Sequence, residues 1–392
     1  MKHIVIVGGG FTGVKLAREL AGDHRFHLTL ISARECFEYH AALYRSATGR
    51  SRMEVAVPLK EIFDGTNVEV VIDEVTKIDS KKQTVRCASK QAYTYDELVL
   101  APGVVTSYFG IGGLPEYSYG IKTISEAMEL KQHLHAELTS GHKPDLNYVV
   151  VGGGPTGVEL AAELVFYLRQ LRRNHGIKKP FHVDVVEAAP RILPALPERF
   201  ARMVSWRLEK LGVRIYTSTA VKGETADTLQ LPEGSIKTHT VIWTAGMTNN
   251  PLFEAHTKLF TLGKGKKAEV DDYLSAGEKL WVAGDSAATE GAGWAQTALY
   301  DGMYLAENFR RLEDGRALAE HNPPKPIGAI PVGRGWCAVN TPGGTQLFGR
   351  VGWWARRLID LKLFFAVLPT GLALRSWIMG TKQEEDCQTC RR

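Results

Sequence analysis

Two runs of the chain carry glycines at a spacing suited to pyrophosphate. Gly8, Gly10 and Gly13 lie in "VIVGGGFTGVKLAREL"; Gly152, Gly154 and Gly157 lie in "VVVGGGPTGVELAAEL". In a G-x-G-x-x-G turn the first glycine permits the bend. The second lets a pyrophosphate approach the backbone, and the third lets helix and strand pack closely. The N-terminus of the following helix then offers unpaired N–H groups and a partial positive charge to the phosphates. A single turn of this kind also occurs as a bend that binds nothing. Two in one chain, each between an apolar segment and a helical pattern, imply two dinucleotides. A flavin and a nicotinamide are the obvious pair.

Acids belong at the ends of the second strands. "FHVDVVEAAPRIL" puts Glu187 directly after an apolar strand. A carboxylate there accepts hydrogen bonds from ribose hydroxyls and repels a 2′-phosphate, so NADH is expected over NADPH. In "FHLTLISARECFEYH" Ser32 holds the corresponding place and Glu35 comes three residues late. Ser32 and Arg34 are then the groups that bind the adenosine end. "YDELVLAPG", with Ala101 and Gly103, and "KLWVAGDSAA", with Asp285, are two further strand ends that suit a flavin. Asp285 can meet the ribityl chain, or it can simply cap a helix.

The elements that must position these residues are legible beside them. Residues 4–7 and 149–151 are β-branched runs of the kind buried in parallel sheets. Val14, Leu16, Ala17 and Leu20, and again Val158, Leu160, Ala161 and Leu164, recur at helical spacing. The motif occurs twice and far apart, which means two domains, not a solenoid. A length of 392 residues agrees with two or three domains. A net charge of +5 is too weak to argue for nucleic acid. The five scattered cysteines do not form a disulfide framework and point to a reducing compartment. No secretory signal is expected at the N-terminus, and no uncharged apolar stretch is long enough to span a bilayer.

Composition changes near the C-terminus. Val351, Trp354, Leu358, Leu361 and Phe365 mark one helix face, and Arg350, Arg356, Arg357, Lys362 and Arg375 add positive charge against the single Asp360. Pro369 breaks the run. Apolar residues, tryptophans and arginines together describe an interfacial anchor on anionic lipid. The alternative is a helix docked on the protein's own core or at a dimer interface.

With these residues in view the chain resembles the two-dinucleotide-binding flavoproteins, and among them the type II NADH dehydrogenases. The resemblance runs nearly end to end, through "IVIVGGGFTG", "LTLISARECFEYHAALYRSATG", "YDELVLAPGVVTSYFGIGG", "VVVGGGPTGVELAAEL", "VEAAPRILPALPERF", "VIWTAGMTNNPL", "LWVAGDSAA" and "WAQTALYDGMYLAENF". It implies an α/β fold with two Rossmann-like domains and a C-terminal membrane-associating helical region. The FAD domain is expected over 1–115 and 251–325, the NADH domain over 116–250, and the anchor over 326–392. FAD is implied near Gly8, Gly10, Gly13, Ala101, Gly103 and Asp285, and NADH near Gly152, Gly154, Gly157, Glu187 and Gly246. Glu159 is implied near nicotinamide and flavin, and Ala295–Gln296 at the flavin's quinone side. A homodimer, peripheral on the cytoplasmic face of the cell membrane, is the family expectation. Three departures stand out: Ser32 in place of an acid, Pro102 in an Ala-Thr-Gly turn, and Tyr300 where a second glutamine is usual.

The expected reaction is hydride transfer from NADH to FAD, then two electrons to a quinone, without proton pumping. Glu159 is the candidate to relay the quinone's protons; its plain reading is a surface carboxylate paired with a basic neighbour. Gln296 and Tyr300 are candidates to contact the quinone head group. The helix after the first turn lacks the C-x4-C pair of disulfide reductases. Cys337 alone is a poor match for sulfide:quinone oxidoreductases, which also lack the second glycine fingerprint. The tail's Cys387 and Cys390 are two thiols where a zinc site usually has four ligands, so no metal site and a mobile end are expected there, with a redox role for the pair as the alternative. A soluble NAD(P)H-dependent flavin reductase, passing electrons to an iron–sulfur protein or oxygen, is the rival.

Overall fold

The computed structural model describes residues 1–139, 147–385, 387 and 389. Strand β1 (Lys2–Val7) has residues 4–6 fully buried, as a β-branched run covered on both faces should be. It lies between β2 (Phe26–Ser32) and the strand Glu97–Leu100, all parallel. Val68–Ile72 and Leu280–Val282 extend the sheet on either side, and the antiparallel Ser275–Gly277 closes it. The parallel strands thus run 3-2-1-4-5, the dinucleotide-binding order. Helix α1 (Phe11–Leu20) crosses back over this sheet.

The second sheet repeats the plan. Strand β3 (Asn147–Val151) sits between β4 (His182–Val186) and Thr240–Trp243, with Val213–Tyr216 outside β4, all parallel. Helix α2 (Pro155–Asn174) follows β3. The chain passes between the sheets twice, and the two crossings pair: Val104–Thr106 runs antiparallel to Met247–Asn249.

Helix α3 (Ala295–Glu313) then returns to the first unit. Its Gly302 lies so close to α1 that a Cβ there would be 2.7 Å from the Thr12 carbonyl oxygen. A three-stranded antiparallel sheet (Gly328–Pro331, Cys337–Asn340, Gln346–Leu347) leads into α4 (Gly349–Val367) and α5 (Thr370–Met379). The break falls at Pro369, as its missing N–H and fixed φ require. Gly352 lets α4 press onto the strand below, where a Cβ would lie 2.2 Å from the Cys337 oxygen. Leu363, Phe364, Val367 and Leu368 of this region belong to the same core as β1 and β3.

Among the described residues no helix is long and apolar enough to cross a membrane. Helix α4 is docked, with Phe364 against Tyr39 at 4.5 Å between ring centres, yet its outer face is bare. Val351, Trp354, Leu358 and Phe365 are exposed, as are Leu374 and Ile378 of α5.

Candidate functional site

The two glycine turns have one geometry. Gly8 and Gly152 have φ of +118° and +113°, a region that favours glycine. A Cβ on Gly13 would meet the Gly8 oxygen at 2.0 Å, and one on Gly157 the Gly152 oxygen at 1.9 Å. Both third glycines are therefore closed against their own turns. The middle glycines are the reverse: a Cβ on Gly10 or Gly154 meets nothing within 4 Å among the described residues. Those same residues cap α1 and α2 without any side-chain hydrogen bond to the helix N-terminus. Each turn thus leaves open backbone, an uncapped helix end and room, which is what a pyrophosphate needs. The residues present fit a dinucleotide at both places.

Glu187 ends β4 and reaches back to the second turn. Its two oxygens accept from Gly153 N (2.5 Å) and Ala189 N (2.7 Å). Ser32 ends β2 in the matching place; a Cβ on Gly9 would lie 2.6 Å from its Oγ. Ser32 Oγ donates to the Arg34 carbonyl (2.8 Å) and accepts from Arg34 N, while the Arg34 guanidinium pairs with Glu38 at 2.7 Å. The Ala101 carbonyl packs under Gly8, and Gly103 turns at φ +77°. Asp285 lies in a single turn of 3-10 helix, Gly284–Ser286, and accepts from Gly293 N at 2.9 Å. Gly246 is explained by packing, since a Cβ there would be 1.9 Å from the Ser107 oxygen at the crossing between the units.

Glu159, four residues into α2, is 5% exposed, so it is no surface carboxylate. It does have the basic partner expected of one. Arg356 of α4 approaches it at 3.4 Å and also bonds Asp360 (2.8 Å) and the carbonyls of Ala329 and Ala41. Asp360 accepts from Tyr39 (2.8 Å) and Arg45 (3.1 Å), and Arg45 pairs with Glu54 at 2.5 Å. Three carboxylates, Glu159, Asp360 and Glu54, thus lie among Arg356, Arg45 and, beside Glu54, Arg357. Glu159 has the longest contact of the set, and burial raises its pKa to about 7 against the pull of Arg356. Asp360, held by two arginines and a phenol, is lowered instead. Arg356 and Arg357 are thus turned inward, contrary to the expectation that they face lipid. The buried acids Asp360 and Glu159 draw the first in, and Arg357 stacks on Trp377 at 4.4 Å and bonds its carbonyl.

Ala295 and Gln296 open α3. The Gln296 amide is taken at both ends by Ile327, donating to its oxygen (2.9 Å) and accepting from its nitrogen (3.1 Å). Tyr300, one turn on, stacks with Tyr304 and faces His321, which bonds Asp301 at 2.8 Å. Gln296 is therefore linked through Ile327 and the strand Gly328–Pro331 after it to Arg356, which bonds the Ala329 carbonyl, whereas Tyr300 belongs to an aromatic cluster over Asp301. Cys337 is fully buried and its thiol pKa is pushed up by burial, so it is a poor nucleophile. Sequence reasoning missed Arg45, Glu54 and Tyr39. Arg356 and Asp360, four apart on one helix, were the available signal.

A model of the pyridine nucleotide-disulphide oxidoreductases matches residues 2–302. The type II NADH:quinone oxidoreductase of Staphylococcus epidermidis is 26% identical over 399 residues, spanning 95% of this chain and 98% of that one. The type II NADH:quinone oxidoreductase Ndh of Mycobacterium tuberculosis is 27% identical over 409 residues, spanning 96% and 87%. Among solved structures, NDH2 from Plasmodium falciparum in complex with NADH has a TM-score of 0.87 at 17% identity, over 97% of both chains. The sulfide:quinone oxidoreductase of Aquifex aeolicus has a TM-score of 0.78 at 19% identity, over 100% and 98%. The last two are likenesses of fold alone. Two sheets of one plan, two matching glycine turns and a family model that spans most of the sequence lead to one conclusion: the chain belongs to the pyridine nucleotide-disulphide oxidoreductase family.

Proposed function

We propose that this chain is a type II NADH:quinone oxidoreductase, with FAD on the turn Gly8–Gly10–Gly13 and NADH on the turn Gly152–Gly154–Gly157. The observation that carries the reading is the pair of open, uncapped turns on two like sheets of one chain. The cofactors supply hydride acceptance and two-electron release; the protein supplies orientation and proton control. Ser32, Arg34, Ala101, Gly103 and Asp285 line the first site, and Glu187 the second, while Gly246 lets the chain pass close to Ser107 at the crossing beside it. Glu187 selects NADH by holding a negative charge where a 2′-phosphate would sit. Glu159, with a pKa near neutrality, holds a proton for the acceptor and regains it from solvent. Arg356 keeps Glu159 in place from the C-terminal helix. Gln296 fixes the start of the adjoining strand with Ala295 beside it on the acceptor side, and Tyr300, one turn on, is the nearest aromatic residue of the same helix to them.

The bare stripe on α4 and α5 supports peripheral membrane binding, beside the lipid in which quinone dissolves; the cytoplasmic face is the side this reading assigns to it. Steady-state NADH oxidation against a panel of quinones, with and without liposomes, tests the assignment. Turnover with a quinone, stimulated by lipid, is expected. Turnover with oxygen or an iron–sulfur protein only, indifferent to lipid, would make it a soluble flavin reductase.

A further inference from the structure

Away from both glycine turns and from the Glu159 network, three metal-ligating side chains converge. They are His135 of the helix Ile124–Thr139, His175 directly after α2, and Cys387 of the tail, with ligand atoms all within 4.8 Å of one another. Cys387 Sγ is 3.8 Å from His175 Nε2. The two imidazoles meet edge to face, 5.3 Å between centres at 81°. Bonds of ~2.0 Å to nitrogen and ~2.3 Å to sulfur in a tetrahedral zinc site put neighbouring ligand atoms ~3.3–3.7 Å apart. The three need to draw in by ~1 Å at most to share one ion.

His135 shows which way the site is poised. Its Nε2 is buried and has no hydrogen-bond partner among the described residues. Its Nδ1 lies 3.4 Å from Thr139 Oγ1, and that hydroxyl donates to the His135 carbonyl at 2.8 Å. The hydroxyl proton being spent, Thr139 Oγ1 can only accept, so Nδ1 carries the ring proton and Nε2 presents a bare lone pair. A buried lone pair without a partner is destabilising. A metal ion removes that cost, and the bonded Nδ1–H is the orientation that ligating histidines use.

The tail is led to this place by contacts of its own. Arg50 and Gln383 form a β-bridge, Gln170 Nε2 donates to Gln383 Oε1 at 2.7 Å, and Lys131 pairs with Glu385 at 3.8 Å and bonds the Glu384 carbonyl. The expectation of a mobile end therefore does not hold for Cys387. The C-x-x-C spacing that it opens is the one zinc sites use, although Cys390 lies outside the described residues.

We propose that His135, His175 and Cys387 bind one divalent ion of the zinc class, which pins the tail and the end of α5 to the nucleotide-binding body. Thiolate and imidazole favour zinc over magnesium or calcium. On binding, the Cys387 thiol gives its proton to solvent as the sulfur–metal bond forms. The site stands apart from electron transfer and is independent of the assigned activity.

The test uses the untagged full chain, purified reduced and without chelator. Elemental analysis should find close to one zinc per chain, and Cys387→Ser and His135→Ala should each retain less than about a tenth of it. A second measurement needs no variant. Cobalt(II) added to the chelator-stripped full chain should give the visible bands of a tetrahedral ion with a thiolate charge-transfer band, both abolished by zinc. Zinc content unchanged in Cys387→Ser, or stripped wild-type chain that gives no thiolate–cobalt band, would overturn the proposal. Flavin content and NADH bleaching of the variants report folding separately.

Discussion

At the scale of single residues, Glu159 is the acid of the Arg356 network that burial holds protonated up to neutrality. It is buried in α2, its nearest cation is 3.4 Å away, and its pKa is about 7. Between its ordinary value and 7 the folded chain holds a proton that the unfolded chain has lost. By linkage, this residue's contribution to stability falls as pH rises through that window. In Glu159→Gln the amide stands in for the protonated acid. Its melting temperature, relative to wild type, should therefore climb between pH 5 and pH 8; a difference that stays flat would mean that Glu159 titrates normally. The same variant should lose roughly ten- to a hundredfold in quinone-dependent kcat near neutrality, along with the bend in the pH profile. Flavin bleaching by NADH, which needs no such proton, should survive. Glu187 is decided by a different balance. A carboxylate that already accepts two backbone N–H groups is fixed where the adenosine ribose must lie. Glu187→Arg should shift kcat/KM from NADH toward NADPH by at least tenfold, about 1.4 kcal/mol. An unchanged preference measured with both coenzymes would remove Glu187 from the site.

At the scale of elements, α4 has two faces with opposite tasks. Its inner face carries Arg356 and Asp360 into the core, where a lone buried charge would cost several kcal/mol. Its outer face leaves Val351, Trp354, Leu358 and Phe365 in solvent, which an isolated soluble helix has no reason to do. The faces can be separated by experiment. Deleting everything after residue 348 would strip Glu159 of Arg356 and Arg45 of Asp360 and confuse anchoring with unfolding. Trp354→Ser with Leu358→Ser leaves the ion pairs intact. It should cut sedimentation with anionic liposomes at least about tenfold, since each large side chain withdrawn from lipid forfeits ~1.5–3 kcal/mol. NADH bleaching should persist; full liposome binding by the double variant would place the anchor elsewhere.

At the scale of the whole molecule, the sequence reveals what is local and hides what is assembled. The two turns were readable because their glycines are dictated by backbone contacts within a few residues, Gly13 on Gly8 and Gly157 on Gly152. The exposed stripe was readable because it is periodic. The pairing of Glu159 with Arg356 was not, since 197 positions separate them and only the docking of α4 brings them together. Neither was the turning inward of Arg356 and Arg357: periodicity shows a helix's faces but not which of its charges find buried partners. Gln296 was found as a residue, yet its grip on Ile327 required the strand's placement. What unites these parts is a chain that holds two dinucleotides so that electrons pass from one to the other and out to quinone. Anaerobic titration of the purified full-length protein with NADH, followed by addition of quinone, tests that most directly. The flavin absorbance should bleach with about one equivalent of NADH and return when quinone is added. A protein isolated without flavin, or a flavin band that NADH leaves unchanged, would contradict the account.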